Sequence, residues 1–120
     1  MPPPSCDRMT PFIYSQLLTD EYAARILTAI MRVPRSAQEL SASYGIPIAA
    51  CYRRIKMLEK HGLIECRERK LSQQGKRINY YISSVKNAYI FFEGGKLTVR
   101  LDLVSGATKE FGDDSDVGEP

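Results

Sequence analysis

Residues 46–65 read IPIAACYRRIKMLEKHGLIE, and the organisation of the whole chain can be worked out from them. Pro47 suits the first turn of a helix, because it has no N–H to leave unpaired there. Gly62 supplies the left-handed residue that ends one. On a 100° wheel Cys51, Ile55 and Leu58 fall in one narrow arc, the side expected to be buried. Ala49, Arg53, Lys56 and Lys60 lie opposite, with Tyr52 and Arg54 flanking. A solvated helix ordinarily mixes its charges, with Glu placed ahead of Lys. Here a single helical acid, Glu59, stands against Arg53, Arg54, Lys56, Lys60 and His61. A negatively charged partner is the simplest reason for such a face.

The residues just upstream read SAQELSASYG. Ser36 and Glu39 have the spacing of a capping box, in which the Ser hydroxyl accepts from the Glu39 N–H and the Glu39 side chain reaches back. This predicts a helix from Ser36 to about Tyr44, stopped by Gly45, with Ala37, Leu40 and Tyr44 on one face. So short a connection to the next helix forces a steep crossing, a helix-turn-helix. Further upstream, Tyr22, Ala23, Ile26, Leu27 and Ile30 recur at three- and four-residue spacing and predict a helix over residues 20–31. Thr19 or Asp20 can cap it, and Pro34 ends it. Downstream, residues 63–71 and 78–83 read as two strands joined by SQQGKR. Ile78, Tyr80 and Ile82 alternate there with Asn79, Tyr81 and Ser83. The tip, with Gln73, Gln74, Lys76 and Arg77 around Gly75, is polar and basic, a composition suited to the narrow, negative minor groove.

The sequence NAYIFFEGGKLTVRLDL predicts a further hairpin. With Gly94-Gly95 as a two-residue turn, Glu93 faces Lys96, Phe92 faces Leu97, Ile90 faces Val99 and Ala88 faces Leu101. That register gathers apolar pairs on one face, which must pack on something, because an isolated hairpin is marginal in water. Its own domain is the first candidate, a dimer interface or an effector pocket the others.

The chain has 120 residues, 43% of them hydrophobic and 26% charged, in the range of one small globular domain. Charge is unevenly placed. Residues 53–77 hold nine basic residues against three acids, and residues 102–120 hold six acids against one Lys. A basic block inside the fold with an acidic tail outside it is the footprint of a polyanion site. No apolar run approaches a membrane span, and the first residues lack a signal-peptide pattern, so the expectation is a cytoplasmic protein. Three unclustered cysteines, Cys6, Cys51 and Cys66, suggest neither disulfides nor a zinc site. With one histidine and no nucleophile arrangement, no enzyme and no cofactor is expected.

These segments resemble the winged helix-turn-helix regulators of the ArsR-like superfamily. LLTDEYAARILTAI is similar to their first conserved helix, through Leu18, Asp20, Arg25, Ile26 and Leu27. Residues 36–65 resemble their helix-turn-helix, and GKRINYYIS their returning wing strand. The Tyr-Arg-Arg-Ile run is similar to a branch common among archaeal regulators. The resemblance implies an α+β fold, a three-helix core plus a β-wing. It also implies base reading by Ile48, Ala49, Tyr52 and Arg53, and places Cys51 where a buried Val is usual. Metal-sensing members carry a Cys-x-Cys pair where Ser36, Ala37 and Gln38 stand here, so soft-metal sensing through that motif is not expected.

The expected organisation is therefore a disordered arm over residues 1–11, a winged helix-turn-helix over 12–85, a β-hairpin over 86–104 and a disordered acidic tail over 105–120. The expected partner is double-stranded DNA, bound by a homodimer that reads paired half-sites. Tyr52 and Arg53 read bases, Ile48 and Ala49 meet thymine methyl groups, and Lys56, Lys60 and Arg54 hold phosphates, with Gln73, Gln74, Lys76 and Arg77 on the wing. The sequence names no effector. A winged-helix adaptor that binds only protein is the rival reading, since fold alone does not settle function.

Overall fold

A computed structural model describes residues 4–112, with side chains described from residue 10 onward. Helices α1 (Pro4–Thr19), α2 (Glu21–Ala29), α3 (Ala37–Tyr44) and α4 (Ile48–Lys60) precede strands β1 (Ile64–Leu71), β2 (Arg77–Ser83), β3 (Val85–Glu93), β4 (Lys96–Leu103) and β5 (Thr108–Gly112). The strands make two antiparallel sheets, β1-β2 and β3-β4-β5. The architecture is α+β and contains a helix-turn-helix formed by α3 and α4.

Local chemistry explains most boundaries. Asp20 caps α2 by accepting from the Ala23 N–H at 2.9 Å. Ser36 and Glu39 close the capping box of α3, at 3.1 Å in each direction. Gly45 ends α3 in the left-handed region, at φ 67°. Only Gly45, Ile46 and Pro47 then separate α3 from α4, and Ile46 is buried, so the turn is pinned from inside. Ala23, Ile26, Ile30, Leu40, Cys51, Ile55, Leu58 and Leu63 share one core. Ser83 joins the sheets: its N–H donates to the Ile30 carbonyl at 2.9 Å, and its buried hydroxyl holds the Val85 backbone.

Two expectations about the ends are corrected. Residues 4–11 belong to α1, a 16-residue helix, where a loose arm was expected. Proline content argued for an arm; the apolar face of β4 decided otherwise. Leu97, Val99 and Leu101 are buried in one core with Tyr14 and Leu17 of α1. Residues 108–112 form β5, where a disordered tail was expected, and Phe111 stacks on Tyr14 with ring centroids 4.3 Å apart. The Tyr14 hydroxyl donates to the His61 carbonyl at 3.0 Å, tying α1 to the end of α4. Burial raises the pKa of that phenol. The rest of the expected arm and tail, residues 1–3 and 113–120, lies outside the described residues.

The β3–β4 turn has both central glycines at positive φ, 60° and 78°, as a two-residue hairpin of this kind requires. It pairs Glu93 with Lys96, Phe92 with Leu97, Ile90 with Val99 and Ala88 with Leu101. The expected hairpin is thus two strands of a three-stranded sheet. Its apolar face is covered on β4 but not on β3.

Candidate nucleic-acid interface

The face of α4 that was expected to be free is free. Ala50, Cys51, Ile55 and Leu58 are buried beneath it, which turns Ile48, Ala49, Tyr52, Arg53, Lys56 and Lys60 outward, all exposed. Among the described residues, no carboxylate lies within ion-pair distance of Arg53, Lys56 or Lys60. Charges held without a protein partner at this density are available to a polyanion. The start of α4 is open as well: Pro47 occupies the N-cap with no side-chain cap bond. First-turn N–H groups left this way favour negative charge nearby.

Arg54 does not join this row, which corrects its expected phosphate role. Its guanidinium is directed at Asp20, Nε to Oδ2 at 2.8 Å and Nη2 to Oδ1 at 3.2 Å, and also lies over the Tyr22 ring. Asp20 therefore caps α2 and clamps α4 with one carboxylate. The Arg54 hydrogen bond is the main cause that holds the Asp20 pKa below the usual carboxylate range, with the Ala23 N–H and the Arg54 charge adding to it. Because the folded value is depressed, this stabilisation is present above the unfolded aspartate value of about 3.9 and is lost as pH falls through the folded one. Asp20→Asn keeps a capping side chain and removes the charge. Its unfolding free energy from urea titration is expected to fall below that of the original chain at pH 7, by roughly 1–2 kcal/mol, and the gap should narrow as pH drops below about 3.9 and close below the folded value. A gap that persists unchanged at pH 3 would show that the charge is not what matters.

The hairpin of β1 and β2 extends past the end of α4. Its loop carries Gln73, Gln74, Lys76 and Arg77, all exposed, with Gly75 at φ 81°. The Ser72 hydroxyl accepts from the N–H groups of Gln74 and Lys76 at 3.2 and 3.1 Å, so the tip is tied down by a residue outside the expected set. At the root, Arg35 and Tyr81 exchange backbone hydrogen bonds at 3.1 and 2.9 Å, which anchors β2 to the segment before α3. Lys70 is occupied by Glu68 and the Tyr80 ring, whereas Lys76 and Arg77 have no ion pair among the described residues.

Gln38 is the site residue that sequence reasoning missed. Its amide donates to the Tyr52 hydroxyl at 2.9 Å, which connects the start of α3 to the exposed face of α4. The contact spans 14 residues, so no local pattern signals it. Cys51 is buried, and burial raises its pKa, which makes it core rather than a reactive thiol. Among the described residues, no group of three His, Cys, Asp or Glu side chains could hold a metal ion.

Residues 18–67 match the model of a helix-turn-helix domain family. The match runs from the end of α1 through α2, α3 and α4 into β1, so it covers the basic face and the clamp that orients it. Over that stretch the chain is similar to a helix-turn-helix domain, a likeness that suggests a DNA-binding regulator. No curated protein matches the chain. Among the described residues, no helix is long and apolar enough to cross a membrane.

Proposed function

We propose that the protein is a sequence-specific DNA-binding transcriptional regulator of the winged helix-turn-helix type, ArsR-like and akin to the archaeal branch. It acts in the cytoplasm as a homodimer. The observation that carries this reading is the row of Arg53, Lys56 and Lys60 on the second helix of the helix-turn-helix, without an ion pair among the described residues. A major groove admits one helix, and the N-terminal part of that helix reaches base edges. Tyr52 and Arg53, with Ile48 and Ala49 before them, are the base-reading set, and Gln38 braces Tyr52. Lys56 and Lys60 lie on phosphates, and the β1–β2 hairpin is the wing, with Gln73, Gln74, Lys76 and Arg77 against the minor groove or backbone.

The reading separates two variants. Once a preferred duplex has been selected from random sequence, Arg53→Ala is expected to lose about 1–3 kcal/mol of discrimination at the bases it reads. Lys60→Ala is expected to weaken preferred and unrelated duplexes alike. Equal, weak binding by both variants and the original chain would favour a protein-binding adaptor.

A further inference from the structure

We propose that β3 is the joining edge of the homodimer: two copies pair antiparallel along it, with Ile90 of each on the two-fold axis, to form one six-stranded sheet. This deepens the dimer named above by giving it a surface and a register.

β3 is an edge strand, since the sheet order is β3-β4-β5. The Glu93–Lys96 turn directs the backbone groups of Tyr89, Phe91 and Glu93 at β4. Ala88, Ile90 and Phe92 therefore turn their N–H and C=O groups to the open edge. Proteins ordinarily blunt such an edge with Pro, charge or cover. Here it carries Tyr89, Ile90, Phe91 and Phe92 in succession, 41%, 40%, 40% and 72% exposed. Its charged residues stand only at the two ends, Lys86 and Glu93.

The sequence of the strand selects a second copy as the partner. A two-fold axis perpendicular to the sheet keeps each face with itself, so residues pair only with others of the same parity. With the axis at Ile90, Ile90 meets Ile90, small Ala88 meets large Phe92, Tyr89 meets Phe91, and the Asn87 amide meets the Glu93 carboxylate. Each is a favourable cross-strand pair. With the axis at Tyr89, Lys86 would oppose Phe92 and Asn87 would oppose Phe91. At roughly 200 Å² per large side chain, the exposed parts of residues 89–92 amount to about 400 Å² per copy. That is half of the roughly 800 Å² a standard interface covers on each partner, before the edge backbone and flanking residues are counted. Both α1 helices then lie on the same side of the joined sheet, with Ile90 and Phe92 of the two copies between them.

The test is sedimentation and native mass measurement of the full chain without DNA. The original chain is expected to dimerise at micromolar concentration. Ile90→Lys and Ile90→Glu each place like charges on the axis and should raise the dimer dissociation constant about 100-fold. An equimolar mixture of the two should recover a dimer holding one of each, which also shows that both variants fold. Ala88→Pro deletes an N–H that the chain's own sheet does not use, and should weaken the dimer while leaving the circular dichroism spectrum unchanged. A monomeric original chain, a variant that dimerises undiminished, or a mixture that stays monomeric would overturn the proposal. Duplex binding is not part of this readout. A well-formed dimer that ignores DNA would count against the regulator reading alone, a dimer undiminished by these substitutions against the β3 edge alone, and a DNA-binding monomer against both the homodimer and the β3 edge.

Discussion

Leu58→Ala is expected to destabilise the chain by about 3–4 kcal/mol, the cost of a full-size cavity in a close-packed core. Leu58 has no exposed surface and sits on the buried side of α4, in sequence between Lys56 and Lys60 of the exposed side. Against a total stability of roughly 5–15 kcal/mol, such a loss should lower the thermal midpoint by more than about 10 °C. It should also weaken duplex binding at temperatures where the variant is partly unfolded. Met57→Ala, one residue earlier and 39% exposed, is the control, expected to cost about 1 kcal/mol or less. Similar losses in the two variants, followed by chemical denaturation, would mean that the packed side of α4 has been wrongly assigned.

The affinity for a preferred duplex is expected to collapse as salt is raised. Lys56, Lys60, Lys76 and Arg77 are the proposed phosphate contacts, and a dimer doubles them to about eight, for a log–log slope near −7. Between about 50 and 200 mM salt the affinity should fall by roughly 10³–10⁵-fold. A single protomer on DNA would show about half that slope. Titrations at several salt concentrations read both numbers at once, and a slope near zero would remove DNA from the account. Removing both Lys60 side chains should reduce the slope by about two.

Much of the site could be read from the chain because its signals are local. Each of Ser36, Gly45 and Gly62 acts within a few residues of itself, and the 3.6-residue period alone turns Cys51, Ile55 and Leu58 away from Arg53, Lys56 and Lys60. The Gly94-Gly95 turn dictates its register in the same way, because two left-handed residues leave one way to pair the flanks. Arg54 shows where such reading stops. A wheel places it beside the basic arc, but it cannot show that Asp20, 34 residues earlier, stands within hydrogen-bond reach.

The ends of the chain were decided the same way. Proline content suggested a loose start and acidic content a loose finish. Yet Tyr14 and Phe111, almost a hundred residues apart, stack on each other and give α1 and β5 their reason to form. By itself the sequence determined the approximate limits of α2, α3 and α4, the turn between α3 and α4, the basic face and the register of the β3–β4 hairpin. All of these follow from backbone geometry and side-chain periodicity over short distances. Only the tertiary structure decided that Arg54 is a clamp, that Gln38 braces Tyr52, and that β4 is covered while β3 is bare. Those outcomes depend on which surfaces meet after the chain has closed on itself, and no stretch of neighbouring residues encodes that meeting.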